Sequence, residues 1–312
     1  MTKEDDTEVV PPSARQIVPP LLTMPTCLLI DGFNLAFRSF YGMPELTRAD
    51  GFPTGALHGW VRTLWMLQDQ EKGAPAAVFF DLGGSTRHTA IHADYKAQRA
   101  DMPAPLAQQL DPLKRLTRLL GFALVEQSGI EADDLIASAA RRLADAGQDA
   151  LIVSADKDFA QLIGGHILQL VPPPTANPKL GWRRLDPAGV QEKFGVPPAQ
   201  IPALLALTGD TSDNIPGLDG VGYKTAAKWL AEFPDLETLL RRWDWVKPDR
   251  FRPLLRDSAA LLHRNLDLVT LRTGLDPGPL TPPAPDLPAL FALLEEMEMK
   301  RTLAEARQRF PA

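Results

Sequence analysis

The 312-residue chain holds a single cysteine, Cys27, so no disulfide can close within it and a reducing compartment is expected. Five histidines are scattered, and with one cysteine they give no set with zinc spacing. Cys27 directly precedes the apolar run Leu28-Leu29-Ile30, which predicts a buried thiol. No apolar run approaches the ~18 residues of a membrane-spanning helix, and the start, MTKEDDTEVV, is acidic where an export signal is basic. A cytoplasmic protein without membrane contact is expected. Positive charge is also in short supply: 33 Lys+Arg face 39 Asp+Glu, a net charge of −6. That balance argues mildly against a polyanionic partner, unless the acids gather in one place and bind cations. The 45% hydrophobic and 23% charged residues are the ordinary profile of a globular chain. Its length allows one large domain, or a main domain with a smaller one.

What is present is organised around aspartates. Residues 1–25, with five prolines among polar residues, read as a disordered tail, and the Pro-rich stretches at 171–179 and 276–288 as surface connections. Three short apolar runs each lead into an aspartate: CLLI into Asp31, AAVFF into Asp81, and ALIVSA into Asp156. Such runs, separated by helical patterns, predict an α/β fold with a mostly parallel central sheet flanked by helices. Ligands of these sheets sit beyond the carboxyl ends of the strands, so the three aspartates should converge on one rim. The sequence Glu131-Ala132-Asp133-Asp134 opens an amphipathic helix carrying Leu135, Ile136, Ala139, Ala140 and Leu143, with Glu131 and Asp134 placed on one face of its first turn. A single acid there would need no explanation beyond the helix dipole.

Number is what defeats that plainer reading. Asp31, Asp81, Glu131, Asp133, Asp134, Asp156 and Asp158 all leave the same expected end of the sheet, and Asp210 and Asp213 in LTGDTSDNIPG add two more at a spacing that puts them on one helical face. Nine carboxylates together repel strongly unless protons or cations neutralise them. Oxygen-only ligands select hard cations, which predicts two Mg2+ or Mn2+ ions of the kind that serve in-line displacement at phosphorus.

The cations are placed to hold a nucleic acid. Gly217–Leu230 opens with glycines and turns helical, with Gly220 and Gly222 free to take positive φ and to admit another backbone closely. The amides at that helix start suit a phosphate, and Lys224 and Lys228 extend the positive face. Within 87–118, Tyr95, Lys96 and Arg99 cluster beside Arg87, an aromatic with cations suited to a single strand, although a solvated helix face would carry similar charges. Arg38, seven residues past Asp31, is placed to reach the same rim.

The motifs LLIDGFNLAFRSF, VFFD, YKAQRADMP, GIEADDLIASAA, SADKDFAQL and TGDTSDNIPGLDGVGYKTA, in this order, resemble the 5′ nuclease domain of bacterial DNA polymerase I, within the wider flap-endonuclease family. The resemblance runs from about residue 26 to about residue 305. It implies a nuclease core over 26–180 with a helical arch about 83–110, a helix–three-turn–helix DNA-binding region over 181–275, and a C-terminal helical segment over 276–312 packing on the core. It implies a monomeric, nucleoid-associated 5′-3′ exonuclease and flap endonuclease acting on DNA with 5′ flaps, branches or nicks, in replication and repair. Asp31, Asp81, Glu131, Asp133 and Asp134 match one set of metal ligands, and Asp156, Asp158, Asp210 and Asp213 the other. Lys96 and Arg99 match cations that approach the scissile phosphate. Gly220, Gly222, Lys224 and Thr225 match a duplex clamp that often holds a K+ ion. The chain departs from the related domains after Asp81, where a lysine and then a Phe-Arg pair are usual: here Ser85, Arg87 and His88 stand, and the arch entrance is differently charged.

Two rival readings remain at this stage. An RNA-cutting nuclease of related acid-cluster folds would be shorter and lack the glycine hairpin. A non-catalytic DNA-binding module would have lost one or more of the acids.

Overall fold

The computed structural model describes residues 27–311, so the expected tail at 1–25 lies outside it. The fully buried run CLLID forms β1 (Cys27–Asp31), and AAVF and ALIV form β2 (Ala76–Phe79) and β4 (Ala150–Val153), with β3 at Ala123–Val125. β5 (Ile167–Val171) and β6 (Arg183–Leu185) complete a six-stranded sheet of order β3-β2-β1-β4-β5-β6, parallel except for β6. Strands apolar on both faces need a layer on each side.

On one side lie α1 (Gly32–Gly42), α2 (Gly55–Gln70) and α4 (Ala104–Leu119), joined by the C-terminal α12 (Leu287–Glu296) and α13 (Lys300–Arg309). On the other, α5 (Ala132–Asp145) covers Leu29, Ala77 and Ile152 with its Leu135, Ile136 and Ala139. The chain builds β1 to β3 outward in one direction and then returns to place β4 on the other side of β1. Beyond the carboxyl ends of β1 and β4 lies the resulting crevice, where a sheet of this kind takes its ligand.

A second core is helical. It gathers α6 (Pro187–Phe194), α7 (Ile201–Thr208), α8 (Tyr223–Glu232), α9 (Leu236–Arg241), α10 (Arg252–Asp257) and α11 (Ala259–Val269) around Leu204, Leu207, Trp229, Leu230 and Leu262. Between α7 and α8 the chain makes a tight excursion through β7 (Gly209–Asp210) and β8 (Ile215–Pro216). Gly217 cannot carry a side chain there, because a Cβ would stand 2.2 Å from the Thr208 carbonyl. Two helices joined through this excursion fit the helix–three-turn–helix element expected from the resemblance, but Asp210 and Asp213 ride on a short hairpin and a 3-10 turn rather than on one helical face. Tertiary packing overrides the local spacing.

The arch segment, expected to be helical over about 83–110, is helical at Thr86–Ile91 (α3) and again where α4 begins at Ala104, with turns at 93–98 between them.

Asn265 on α11, fully buried, fixes the excursion by donating to the carbonyls of Ala206 (3.1 Å) and Pro216 (2.7 Å). Asn265→Ala leaves the buried Ala206 carbonyl without this donor and frees the part-buried Pro216 carbonyl, and should lower unfolding stability by about 1–3 kcal/mol in denaturant titration. A change near zero would mean that the hairpin is held otherwise.

Candidate metal centre and nucleic-acid interface

Four of the acids are aimed by identifiable local devices. Asp31, the last residue of β1, caps α1 by accepting from Asn34 N–H (3.0 Å) and takes the Ser154 hydroxyl (2.7 Å). Asp81 leaves the end of β2 and accepts the Ala132 N–H that opens α5 (2.6 Å). Asp156 accepts from Asp158 N–H (2.9 Å), and its own N–H and carbonyl are tied to Ser154 and to the buried Gln169 amide. Asp210 accepts from the Ser212 N–H and hydroxyl.

Crowding shows in the protonation of these groups. Burial pushes Asp31 up to about pH 6, with the charges of Asp156 and Asp81 adding to it. Burial likewise raises Asp81, with Glu131 adding. Asp133 and Asp158 stand well above the usual carboxylate range, first through burial and then through Asp156, which faces both. Asp156 therefore joins two groups, one around Asp31, Asp81 and Asp133 and one around Asp158, Asp210 and Asp213.

Protein cations partly neutralise the rim. Lys96 Nζ lies 2.6 Å from Glu131 Oε1 and 3.9 Å from Asp213, and the Arg99 guanidinium meets Asp213 Oδ1 at 2.6 Å. Burial opposes the charge on Lys96, yet Glu131, Asp213 and Asp133 outweigh it and hold the ammonium firmly protonated. The turn carrying these cations docks on the Asp213 loop through its backbone as well. Lys96 N–H donates to Asp213 O (3.1 Å), and Asn214 Nδ2 donates to Asp94 O (2.8 Å). Lys96 itself takes a left-handed φ of 57°, a cost for a non-glycine residue that the docking offsets. The Tyr95 hydroxyl lies 3.3 Å from Glu131 Oε2 and 3.1 Å from Asp213 Oδ2, bridging the two groups.

Sequence reasoning missed Lys157, which sits inside the second group. Its ammonium lies 2.5 Å from Asp210 and 3.7 Å from Asp158. A lysine between two aspartates in SADKDF was the available signal. Ser154 and Gln169 were missed as well, and His88 was read only as a changed position at the arch entrance. His88 stacks on Tyr95 at 4.6 Å and places Nδ1 3.3 Å from Glu131 Oε2.

Several expected site residues stand elsewhere. Asp134 does not join the rim: its carboxylate, 1% exposed, accepts from Arg272 N–H (2.9 Å) and Nε (2.7 Å). Arg38 reaches the Pro173 carbonyl and the Trp182 ring rather than the acids. Arg87 is spent on α11, donating to Asp267 O (2.5 Å), and Ser85 caps α3, so neither stands free at the arch entrance. Gly220 adopts the expected positive φ of 69°, whereas Gly222 caps α8 in an extended conformation. A Cβ on Gly222 would meet nothing within 4 Å, leaving the amides of α8 open to a visitor. Lys224 and Lys228 are exposed and in no ion pair among the described residues, and Thr225 is half-buried beside them.

Among the described residues no three acids already close on one point as a preformed cage. The donor set nonetheless fits a hard cation: it is all oxygen, and Asp158 Oδ1 is buried with no hydrogen-bond partner.

Two expectations follow. Asp134→Ala should cost roughly 2–3 kcal/mol in unfolding, less than a fully buried pair because Arg272 is 31% exposed, and leave Mn2+ affinity near that of the unaltered protein. Asp133→Ala should do the reverse, and equal loss of Mn2+ affinity in both would return Asp134 to the rim. The raised acids also set a pH dependence. A carboxyl whose folded pKa exceeds its unfolded value destabilises the fold once ionised, so that stability is lost as pH rises from about 4 to about 6 and beyond. Burial lowers His58 and His88, which act in the opposite direction and are lost as pH falls. The melting-temperature increment from added Mg2+ reports on the rim, since the effect of His58, bonded to Thr302 away from the acids, cancels in it. It should be large at pH 7.5 and nearly absent at pH 5, and a pH-independent increment would contradict this site.

Known proteins agree with this architecture. Residues 26–195 match the family model of the 5′-3′ exonuclease, N-terminal resolvase-like domain, and residues 196–281 that of the 5′-3′ exonuclease, C-terminal SAM fold. The 5′-3′ exonuclease of Aquifex aeolicus is 37% identical over 291 residues, covering 92% of this chain and 97% of that protein. The thermostable DNA polymerase I of Thermus filiformis is 40% identical over 282 residues, 89% of this chain but 33% of the polymerase. The chain thus spans about a third of such relatives. A bacteriophage T5 flap endonuclease, solved with DNA and metal ions, superposes with a TM-score of 0.64 at 22% identity, covering 91% of this chain and 99% of that one. The catalytic core of Rad2 with a DNA substrate gives 0.59 at 16%, covering 91% and 92%. Matches that run without a break from residue 26 to residue 281, together with a relative of the same length, place the chain in the 5′-3′ exonuclease family.

Proposed function

We propose that the chain is a structure-specific 5′ nuclease that hydrolyses DNA phosphodiester bonds at 5′ flaps and at branched or nicked duplex, in replication and repair. The observation that carries this reading is the oxygen-only rim at the switch point of the sheet, with buried, mutually repelling carboxylates from β1, β2, β4 and the β7–β8 hairpin. Asp31, Asp81, Glu131 and Asp133 would hold one Mg2+ or Mn2+ ion, and Asp156, Asp158, Asp210 and Asp213 the other. When bound, such ions acidify water and neutralise the charge that builds on phosphate oxygens.

The chain's own cations supply the rest. Lys96 and Arg99 stand directly on the acids, so a phosphate brought to the rim meets two donors already in place. Tyr95 and its stack on His88 hold the turn that carries them. On the duplex side, the open amides after Gly222, with Thr225, Lys224 and Lys228, suit one backbone, and the Gly220–Gly222 hairpin suits a K+ ion between protein and phosphate. The T5 and Rad2 neighbours solved with DNA support the same choice of polymer. The protein acts as a monomer in this reading.

One assay set tests it. With Mg2+ or Mn2+ the protein should cut 5′-flap DNA in preference to blunt duplex or single-stranded RNA, while Ca2+ or EDTA abolishes cutting and flap binding persists in Ca2+. Lys96→Ala or Arg99→Ala should lower single-turnover cleavage sharply with little change in affinity, because they act where charge grows. Losing both Lys224 and Lys228 should instead weaken duplex binding and flatten the salt slope by about 0.9 per lost contact. Strong cleavage in EDTA, or an arch pair that alters affinity alone, would contradict the assignment.

A further inference from the structure

Beyond the hairpin lies a surface that this reading leaves unused. Residues 241–257 contain six cations and three carboxylates, in a chain whose net charge is −6. The segment also holds the most exposed large apolar side chain among the described residues, Trp245 at 64%. Its aromatics and arginines are paired. The Arg242 guanidinium lies 5.1 Å from the Trp245 ring centre, Arg250 4.8 Å from Phe251, and Arg256 5.7 Å from Trp243.

Carboxylates account for only part of this charge. Asp249 takes Lys247 and Arg252, and Asp257 takes Arg256 on both oxygens. Arg241, Arg242 and Arg250 are exposed and in no ion pair among the described residues, as is the single acid Asp244. A guanidinium laid on an aromatic face keeps its N–H groups pointing outward in the ring plane, where a phosphate can take two at once. Arg242 lies over one face of the Trp245 indole and closes that face to a stacked base. The arrangement suits a duplex backbone rather than a single strand.

The underside of the segment is fixed to the gripping helix. Trp229 of α8 donates Nε1–H to the Lys247 carbonyl (2.8 Å) and meets the Phe251 ring edge-on at 5.3 Å. Phe251 also lies against Gly220, 3.8 Å from where a Cβ would stand, and Val246 is fully buried. The arginines are therefore held in rigid register with the hairpin.

We propose that Arg242 and Arg250, with Trp245 as a shelf, form a second phosphate-gripping surface that takes the duplex arm one stretch beyond the hairpin. The proposal rests on the reading of the chain as a binder of branched DNA. It is tested by anisotropy titration in Ca2+ over a range of salt, using two flap substrates. One has its duplex arm cut back to the hairpin footprint, and the other carries about one further helical turn, roughly 10 bp. The Arg242→Ala/Arg250→Ala double variant should lose severalfold affinity on the long arm, with a salt slope lower by about 1.8, and should match the unaltered protein on the short arm. Trp245→Ala, an exposed change that the fold tolerates, should give part of the same long-arm loss. An unchanged slope on the long arm, or equal losses on both arms, overturns the proposal. Failure of the unaltered protein to bind either flap would instead overturn the proposed function.

Discussion

Like charges packed at one rim are the constraint around which this molecule is arranged. Burial at the end of the sheet raises the proton affinity of these carboxylates, and their mutual repulsion raises it further. The fold tolerates such a site by holding Asp31, Asp81, Asp156 and Asp210 with backbone or hydroxyl donors and by lending the rim nearby cations. Lys96 and Arg99, both from the arch turn, and Lys157, just after β4, serve as those cations. The cost of the rim is thus distributed over the arch turn, the end of β4 and the β7–β8 hairpin.

That distribution ties the two cores together. The sheet holds Asp31, Asp81, Asp156 and Asp158, while the helical core contributes Asp210 and Asp213 through a hairpin locked by Asn265. The arch turn then binds across both through Lys96 and Tyr95. Helix α8 begins within electrostatic reach of the same acids: burial raises the Tyr223 phenol, and Asp210, Asp158 and Asp156 add to it. A substrate held at α8 is therefore held at a fixed distance from the rim.

Much of this was legible in the residues. Apolar runs closing in aspartate located the strands and their common end, because a period of one face cannot explain strands buried on both. What failed was spacing taken as helical where the chain was not yet a helix. Glu131 is an extended cap and α5 begins at Ala132, so Asp133 stays by the rim while Asp134, about 100° further round, faces Arg272. Arg38 and Arg87 were misplaced because their partners, Pro173 and Asp267, lie 135 and 180 residues away. No local pattern encodes such a contact. Lys157 was legible and overlooked, since counting acids hides the cation between them.

The most direct test of the central claim is crystallographic. Crystals soaked in Mn2+ and measured near its absorption edge should show two anomalous peaks, one among Asp31, Asp81, Glu131 and Asp133 and one among Asp156, Asp158, Asp210 and Asp213, with Lys96 and Arg99 displaced from the carboxylates. Crystals that show no peak at the rim, with both cations still seated on Glu131 and Asp213, would contradict the account.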